Sequence, residues 1–192
     1  MTIQKYSQTL SLPAGGQVEL REMSKSDRDA VLTFARALPA QDLQFLRVDI
    51  TRAAVVDDWV RNLKSGVSQS IVAYDQDGLV GYATVHCNPT SWTRHLGEIR
   101  VNVSVEYRSK GLGRLLIGRA FDLARASGLS KLTAHMTANQ VSAQAAFRRL
   151  GFVPEALLAD YVQDREGRTR DMVIMSFDIA GHSDTVSETL RV

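Results

Sequence analysis

The sequence predicts an α/β fold, a mixed sheet with one central parallel crossover. Three observations predict it. Val18 to Met23 and Glu98 to Ser104 alternate apolar and polar residues, the period of a half-buried strand. Between Glu98 and Met136 the period passes from strand to helix and back, and strands joined by a helix run parallel. The turns Asp75–Gly78 and Asp164–Gly167 join strand-like runs into antiparallel hairpins.

The elements follow in order. Residues 1–16 read as a loose lead-in ending in Pro13-Ala14-Gly15-Gly16, and Val18–Met23 is the first strand. Ser24 and Asp27 have the spacing of a helix N-terminal box. A helix through Ala30, Val31, Phe34 and Leu38 follows, stopped by Pro39. A second helix runs from about Ala53 to Lys64 and ends at Gly66. Ser70–Tyr74 and Leu79–His86 are paired strands, the latter broken by Asn88-Pro89. Ile99, Val101 and Val103 mark the next strand. From Gly111 a helix gathers Leu112, Leu115, Leu116, Leu123 and Ala124 on one side, and Gly128 ends it. Lys131–Met136 is a strand. Ala143, Ala146, Phe147 and Leu150 mark the last helix, closed by Gly151. Phe152 to about Val162 and Thr169 to Ile179 form the final hairpin. The order is β-α-α-β-β-β-α-β-α-β-β, one domain over 17–179, with 180–192 a polar tail.

Composition excludes several function classes. Lys plus Arg number 23 and Asp plus Glu 21 in 192 residues, a net charge of +2, and 44% of residues are hydrophobic. Such a chain can build a core. Charge so nearly balanced offers no broad attraction to nucleic acid or to an anionic membrane, and neither is expected as a partner. Cys87 is the single cysteine, which excludes an internal disulfide and a cysteine zinc ribbon. No apolar run approaches the roughly 18 residues that cross a bilayer. The opening Met1-Thr2-Ile3-Gln4-Lys5 lacks the apolar stretch of a signal peptide, so a cytoplasmic location is expected. His86, His95, His135 and His182 have no metal-ligand spacing, and no metal is expected.

Chemistry concentrates in the stretch from Val101 to Leu116. It runs strand, short loop, two glycines, helix. Glycines at a helix entrance let backbone N–H groups approach a ligand without a Cβ in the way. The unpaired N–H groups of the first turn suit a phosphate or pyrophosphate. Lys110 and Arg114 add positive charge beside the loop. There is no Gly-Lys-Ser/Thr, so this is not a nucleotide P-loop. Leu116 stands where the dinucleotide fingerprint has its third glycine. The bland alternative is a plain strand–helix turn.

Arg108-x-x-Gly111-x-Gly113, following Ile99–Val103, resembles the Arg/Gln-x-x-Gly-x-Gly/Ala signature of the GNAT superfamily of N-acetyltransferases. The stretch Gln140 to Phe152 resembles that family's Asn-x-x-Ala-x-x-x-Tyr-x-x-x-Gly-Phe segment. The element order matches the family fold, and the resemblance covers about residues 18–178.

The resemblance implies acetyl-CoA, or another acyl-CoA, as co-substrate and an amine as acceptor. It implies that Val101, Asn102 and Val103 pair with pantetheine through the backbone. Arg108, Ser109, Lys110, Gly111, Leu112, Gly113 and Arg114 would hold the pyrophosphate. Asn139, Gln140 and Phe147 match further cofactor-side positions. Gln140 replaces the usual asparagine, which Asn139 can supply. Phe147 replaces the usual tyrosine and has no proton to give; it also reads as a core residue on its helix. The strands ending near Val103 and Met136 would part to admit the thioester.

The attacking amine must be neutral, yet an amine of pKa roughly 8–10 is mostly protonated at pH 7. A general base is required. His135 matches the placement of a catalytic glutamate in the branch that acetylates ribosomal-protein N-termini, and imidazole can do that task near neutrality. Glu98 matches a catalytic glutamate of a related branch. Each also reads as an ordinary polar strand residue. Tyr161 or water can protonate the departing thiolate. Cys87 has no activating partner in sequence, so direct attack is the simpler route.

The expected activity is acetyl transfer from acetyl-CoA to a primary amine of a small molecule or peptide. The alternative is a non-catalytic acyl-CoA-binding module. The sequence selects no acceptor and specifies no oligomer, a homodimer included.

Overall fold

The computed structural model describes residues 7–43, 46–164 and 166–179. The expectations for residues 1–6 and for the tail at 180–192 lie outside the described residues. The elements are β1 (Ser7–Ser11), β2 (Gln17–Glu22), α1 (Arg28–Ala37), α2 (Ala40–Leu43), α3 (Ala53–Ser65), β3 (Ser68–Tyr74) and β4 (Leu79–Cys87). They continue with β5 (Leu96–Val103), α4 (Leu112–Ala126), β6 (Lys131–Thr137), α5 (Val141–Arg149), β7 (Val153–Gln163) and β8 (Thr169–Asp178). This is the mixed α/β fold expected. The described residues form two compact units, those within 1–87 together with 99–123, and those within 88–98 together with 124–179.

In the first unit the strand order is β1-β2-β3-β4-β5. Pairing is antiparallel from β1 through β4, with Leu10 opposite Val18, Leu20 opposite Ala73 and Val72 opposite Tyr82. Helices α1 and α3 bury Val31, Phe34, Ala35, Val56 and Trp59 in one cluster with Val72 and Tyr82. Phe34 and Trp59 meet the Tyr82 ring edge-on, with centroids 6.0 and 4.8 Å away. Trp59 can be buried because its indole N–H donates to Ser70 Oγ at 3.0 Å, and Ser70 pairs with Thr84 Oγ1 at 2.8 Å. On β4, a Cβ at Gly81 would stand 3.2 Å from a Leu116 methyl, so glycine lets α4 close on the strand.

The Ser24–Asp27 box forms: Asp27 Oδ2 accepts the Ser24 N–H at 2.7 Å. The same carboxylate takes both Arg21 Nη atoms at 2.6 and 2.8 Å and the Tyr74 hydroxyl at 2.7 Å. Arg21 also lies 4.6 Å from the Tyr74 ring centre. Burial alone would raise the Asp27 pKa, but the Arg21, Ser24 and Tyr74 bonds overcome it and hold the carboxyl far below its usual range.

Two local readings need correction. The lead-in is not loose over residues 7–16, since Ser7–Ser11 pairs with β2 and Leu12 is buried. Its polar, glycine-rich composition hid an edge strand that buries little of itself. Pro39 does stop α1, but it also opens α2, accepting the Asp42 N–H at 2.9 Å through its carbonyl. Proline suits the first turn of a helix because no N–H is needed there.

In the second unit the order is β5-β6-β8-β7. The expected parallel pair forms between β5 and β6, from Leu96 opposite Lys131 to Glu98 opposite Thr133. Strand β8 runs antiparallel to both β6 and β7. Gly151 closes α5 at φ +93°. Beyond it the buried Phe152 meets Phe147 edge-on at 4.9 Å and Phe177 at 5.7 Å. The outer strand β7 is largely exposed and loses register between Leu158 and Val162. The hairpin is tied by Asp164, whose carboxylate accepts from the Glu166 and Arg168 N–H groups and from the Arg168 and Arg170 side chains.

Candidate active site

The glycine segment lies in the first unit. After β5 the chain makes one tight turn at Val105–Tyr107 and enters a loop with left-handed positions at Ser109 (φ +58°) and Gly111 (φ +91°). Left-handed residues alternating with ordinary ones turn successive backbone N–H groups toward one concave side, a nest for an anion. Helix α4 follows, its first bond running from the Leu115 N–H to the Gly111 carbonyl. The N–H groups before Leu115 therefore have no intrahelical acceptor and, with the helix dipole, favour negative charge.

The two glycines serve different needs. Gly111 is required by its own backbone, and a Cβ there would also strike Pro13 Cδ at 3.0 Å. Gly113 has an ordinary backbone, and a Cβ there would meet only Val103 Cγ2, at 3.9 Å. Packing does not demand glycine at 113. An open approach to the helix entrance is what it provides, and this suits a phosphate-bearing group. Leu112 is fully buried and anchors the loop from within.

Of the other residues expected here, Asn102 donates to Tyr82 Oη at 2.7 Å. Burial pushes the Tyr82 phenol up to about 12. Arg108 is occupied by the protein itself: Nε donates to the Val103 carbonyl at 3.3 Å, and Nη2 pairs with Asp42 of α2. Lys110 stands 5.1 Å from the centre of the Tyr107 ring. The Tyr107 hydroxyl donates to Asp75 at 2.6 Å, and that bond pushes its pKa up to about 12. Arg114 is exposed at the helix start.

The second unit brings Glu98 and His135 onto one face. Glu98 lies opposite Thr133 in the parallel ladder, and His135 is two residues further along β6. Paired residues, and residues two apart on a strand, share a face. Both are half-buried, and each is flanked by buried neighbours pointing the other way: Gly97 and Ile99, Ala134 and Met136. Asn139 and Gln140 close the turn after β6. The buried Thr137 hydroxyl donates to Asn139 Oδ1 at 2.6 Å, and the Thr137 N–H donates to Gln140 Oε1 at 2.9 Å. Phe147 is half-buried with its ring edge-on to Phe152, and it is not among the buried core residues. Tyr161 stands on the irregular part of β7 and is 63% exposed. Cys87 donates its thiol to the Gly66 carbonyl at 3.2 Å, and burial raises its pKa. A raised thiol pKa works against a cysteine nucleophile.

Sequence reasoning missed Asp42, Pro13 and the Tyr107–Asp75 bond. Each joins the glycine segment to residues far away in the chain, and no local pattern marks such a partner. Among the described residues no group of three or more His, Cys, Asp or Glu could hold a metal ion. No described helix is long and apolar enough to cross a membrane.

The element order, the parallel crossover and the glycine nest ahead of α4 define an acyltransferase-type fold. The signature of the acetyltransferase (GNAT) family matches residues 36–152, and the chain belongs to that family. Over 86 residues it is 36% identical to the streptothricin acetyltransferase of Streptomyces lavendulae, a match covering 44% of each protein. Solved structures agree on the fold. The yncA protein of Salmonella typhimurium, solved with its cofactor acetyl-CoA, is 21% identical with a TM-score of 0.74 over 88% of this chain and 98% of that one. The ribosomal-protein-alanine N-acetyltransferase of Brucella melitensis is 24% identical with a TM-score of 0.73, over 83% of this chain and 98% of that one.

Proposed function

We propose that the protein transfers an acetyl group from acetyl-CoA to a primary amine by direct attack. The observation that carries this is the nest formed by Ser109 and Gly111 ahead of α4, with Gly113 leaving the approach open. The loop's N–H groups and the cations Lys110 and Arg114 would receive the pyrophosphate, and the backbone of Val101–Val103 would pair with pantetheine. Acetyl-CoA supplies the activated thioester. His135 or Glu98 takes a proton from the acceptor's ammonium, directly or through water, and so leaves the neutral amine that attacks the thioester carbonyl. A backbone N–H would stabilise the developing oxyanion. Tyr161 or water returns a proton to the thiolate. Partners are then an amine acceptor and no nucleic acid or membrane, in the cytoplasm.

The acceptor is open to direct test. The name of the Streptomyces relative makes streptothricin the first compound to try. Spermidine and an alanine-ended peptide come next, from structural neighbours that share the fold at 19% and 24% identity. Release of free thiol from acetyl-CoA should rise with one of these amines. His135→Ala or Glu98→Gln should then cut kcat by about 100-fold or more at pH 7. Activity indifferent to both substitutions would remove these residues from the mechanism. Tight CoA binding with no turnover on a broad amine panel would favour the non-catalytic module instead, the reading that Phe147 in place of tyrosine supports.

A further inference from the structure

Arg108 belongs to the glycine motif, yet its guanidinium is spent on the protein. Nε donates to the carbonyl of Val103, the last residue of β5, at 3.3 Å. Nη2 forms an ion pair with Asp42 of α2, with the side chains 40% and 21% exposed. One planar group thus joins three segments: the end of β5, the start of the glycine loop and a helix some 60 residues earlier in the chain. A pair this exposed adds little to folding by itself. Its geometry is more telling. A guanidinium presents its N–H groups in a rigid fork, so fixing two of them fixes the plane. The loop leaves Arg108 directly, and the Val103 carbonyl it holds belongs to the strand end proposed to meet pantetheine.

We propose that Asp42 is a positioning residue for the donor. Resting on the reading of the glycine loop as the acetyl-CoA site, the inference is that Asp42 holds the Arg108 fork. The fork in turn keeps the β5 terminus and the nest at the spacing the donor needs. Lys110, Arg114 and the backbone N–H groups supply the attraction for phosphate. Arg108 supplies shape. The opposite arrangement, in which Arg108 contacts phosphate and Asp42 competes for it, predicts the opposite sign. Removing Asp42 would then free a cation and tighten binding.

The test is calorimetric titration of the full chain with CoA. Asp42→Ala should weaken CoA binding by about tenfold, a typical cost of misplaced binding groups. Asp42→Glu keeps the acceptor and should restore most of it. Arg108→Lys keeps the charge but not the fork, and should weaken binding about as much as Asp42→Ala. The double variant Asp42→Ala/Arg108→Lys should bind no worse than either single one, because both break the same linkage. Thermal unfolding of Asp42→Ala should stay within about 2 °C of the parent, as expected for an exposed pair. CoA binding that is unchanged or tighter in Asp42→Ala overturns the proposal, as do additive losses in the double variant. Failure of the parent protein itself to bind CoA would instead bring down the reading of the loop as a donor site, and this proposal with it.

Discussion

Alanine at the two loop glycines should produce opposite effects on stability and the same effect on donor binding. At Gly111 the backbone sits at φ +91°, where an L side chain is strained, and the new Cβ would lie 3.0 and 3.1 Å from Pro13 Cδ and Cγ. The strain costs on the order of 1–2 kcal/mol, and the Pro13 ring must also shift. Taking about 2 kcal/mol in total, a domain of this size loses about 4–8 °C in melting temperature. At Gly113 the backbone is ordinary and the nearest atom to a new Cβ is 3.9 Å away. There alanine improves helix propensity and lowers the entropy of the unfolded chain. Stability should be unchanged or rise by about 0.5–1 kcal/mol, hence about 1–4 °C. Yet that methyl fills the approach to the helix entrance, so CoA affinity should fall at least about tenfold in both variants. The assays are differential scanning fluorimetry without ligand and calorimetric titration with CoA. Gly113→Ala that is stable and binds CoA like the parent would refute the assignment of that glycine to ligand approach. Gly111→Ala as stable as the parent would refute the account of its backbone.

Acid should act on the fold through Asp27. Its folded-state pKa lies below the value of 3.8 expected for a free aspartate, so its contribution is complete above about pH 4 and is lost as pH falls further. Asp27→Asn should be less stable at pH 7, leaving Arg21 without its partner, and its unfolding midpoint in urea should change less between about pH 5 and pH 2 than that of the parent. Trp59→Phe removes the donor to Ser70 and some ring volume, and should cost about 1–2 kcal/mol in chemical denaturation. Ser70→Ala combined with it should cost less than the sum, since the two share one bond. Breaking the surface pair Lys131–Glu155 with Lys131→Met should change stability by less than about 1 kcal/mol, because both side chains are a third or more exposed.

Legibility in the sequence followed the range of the signal. Strands such as Ile99–Val103 and helices such as Leu112–Ala126 were readable because their periodicity is local, and the parallel crossover followed from connectivity alone. Gly111 and Gly113 are legible as a loop at a helix entrance, since glycine there has a backbone meaning, whereas the left-handed Ser109 carries no such mark in the sequence. The strand at Ser7–Ser11 is hard to read because only Leu10 and Leu12 alternate with polar residues before Pro13 and two glycines break the pattern, and β1 is held by pairing with β2 more than by burial. Asp42 carries no mark either. Its significance comes from meeting Arg108, 66 positions later, and only the folded chain brings them together. Gln140 looked like an imperfect copy of an asparagine, but its side-chain oxygen accepts the Thr137 N–H, a task that depends on the turn rather than on residue identity alone.

The turn between β1 and β2 has a practical consequence for handling this protein. The family match begins at residue 36, which invites trimming the chain from its front end. Removing the residues before Gln17 would take away Pro13, the wall against which Gly111 is set, and leave β2 as a bare edge with its N–H and C=O groups unpaired. Bare edges invite sheet-to-sheet association between chains. A shortened protein could then fold, aggregate slowly and bind cofactor poorly, and so be taken for an inactive member of its family.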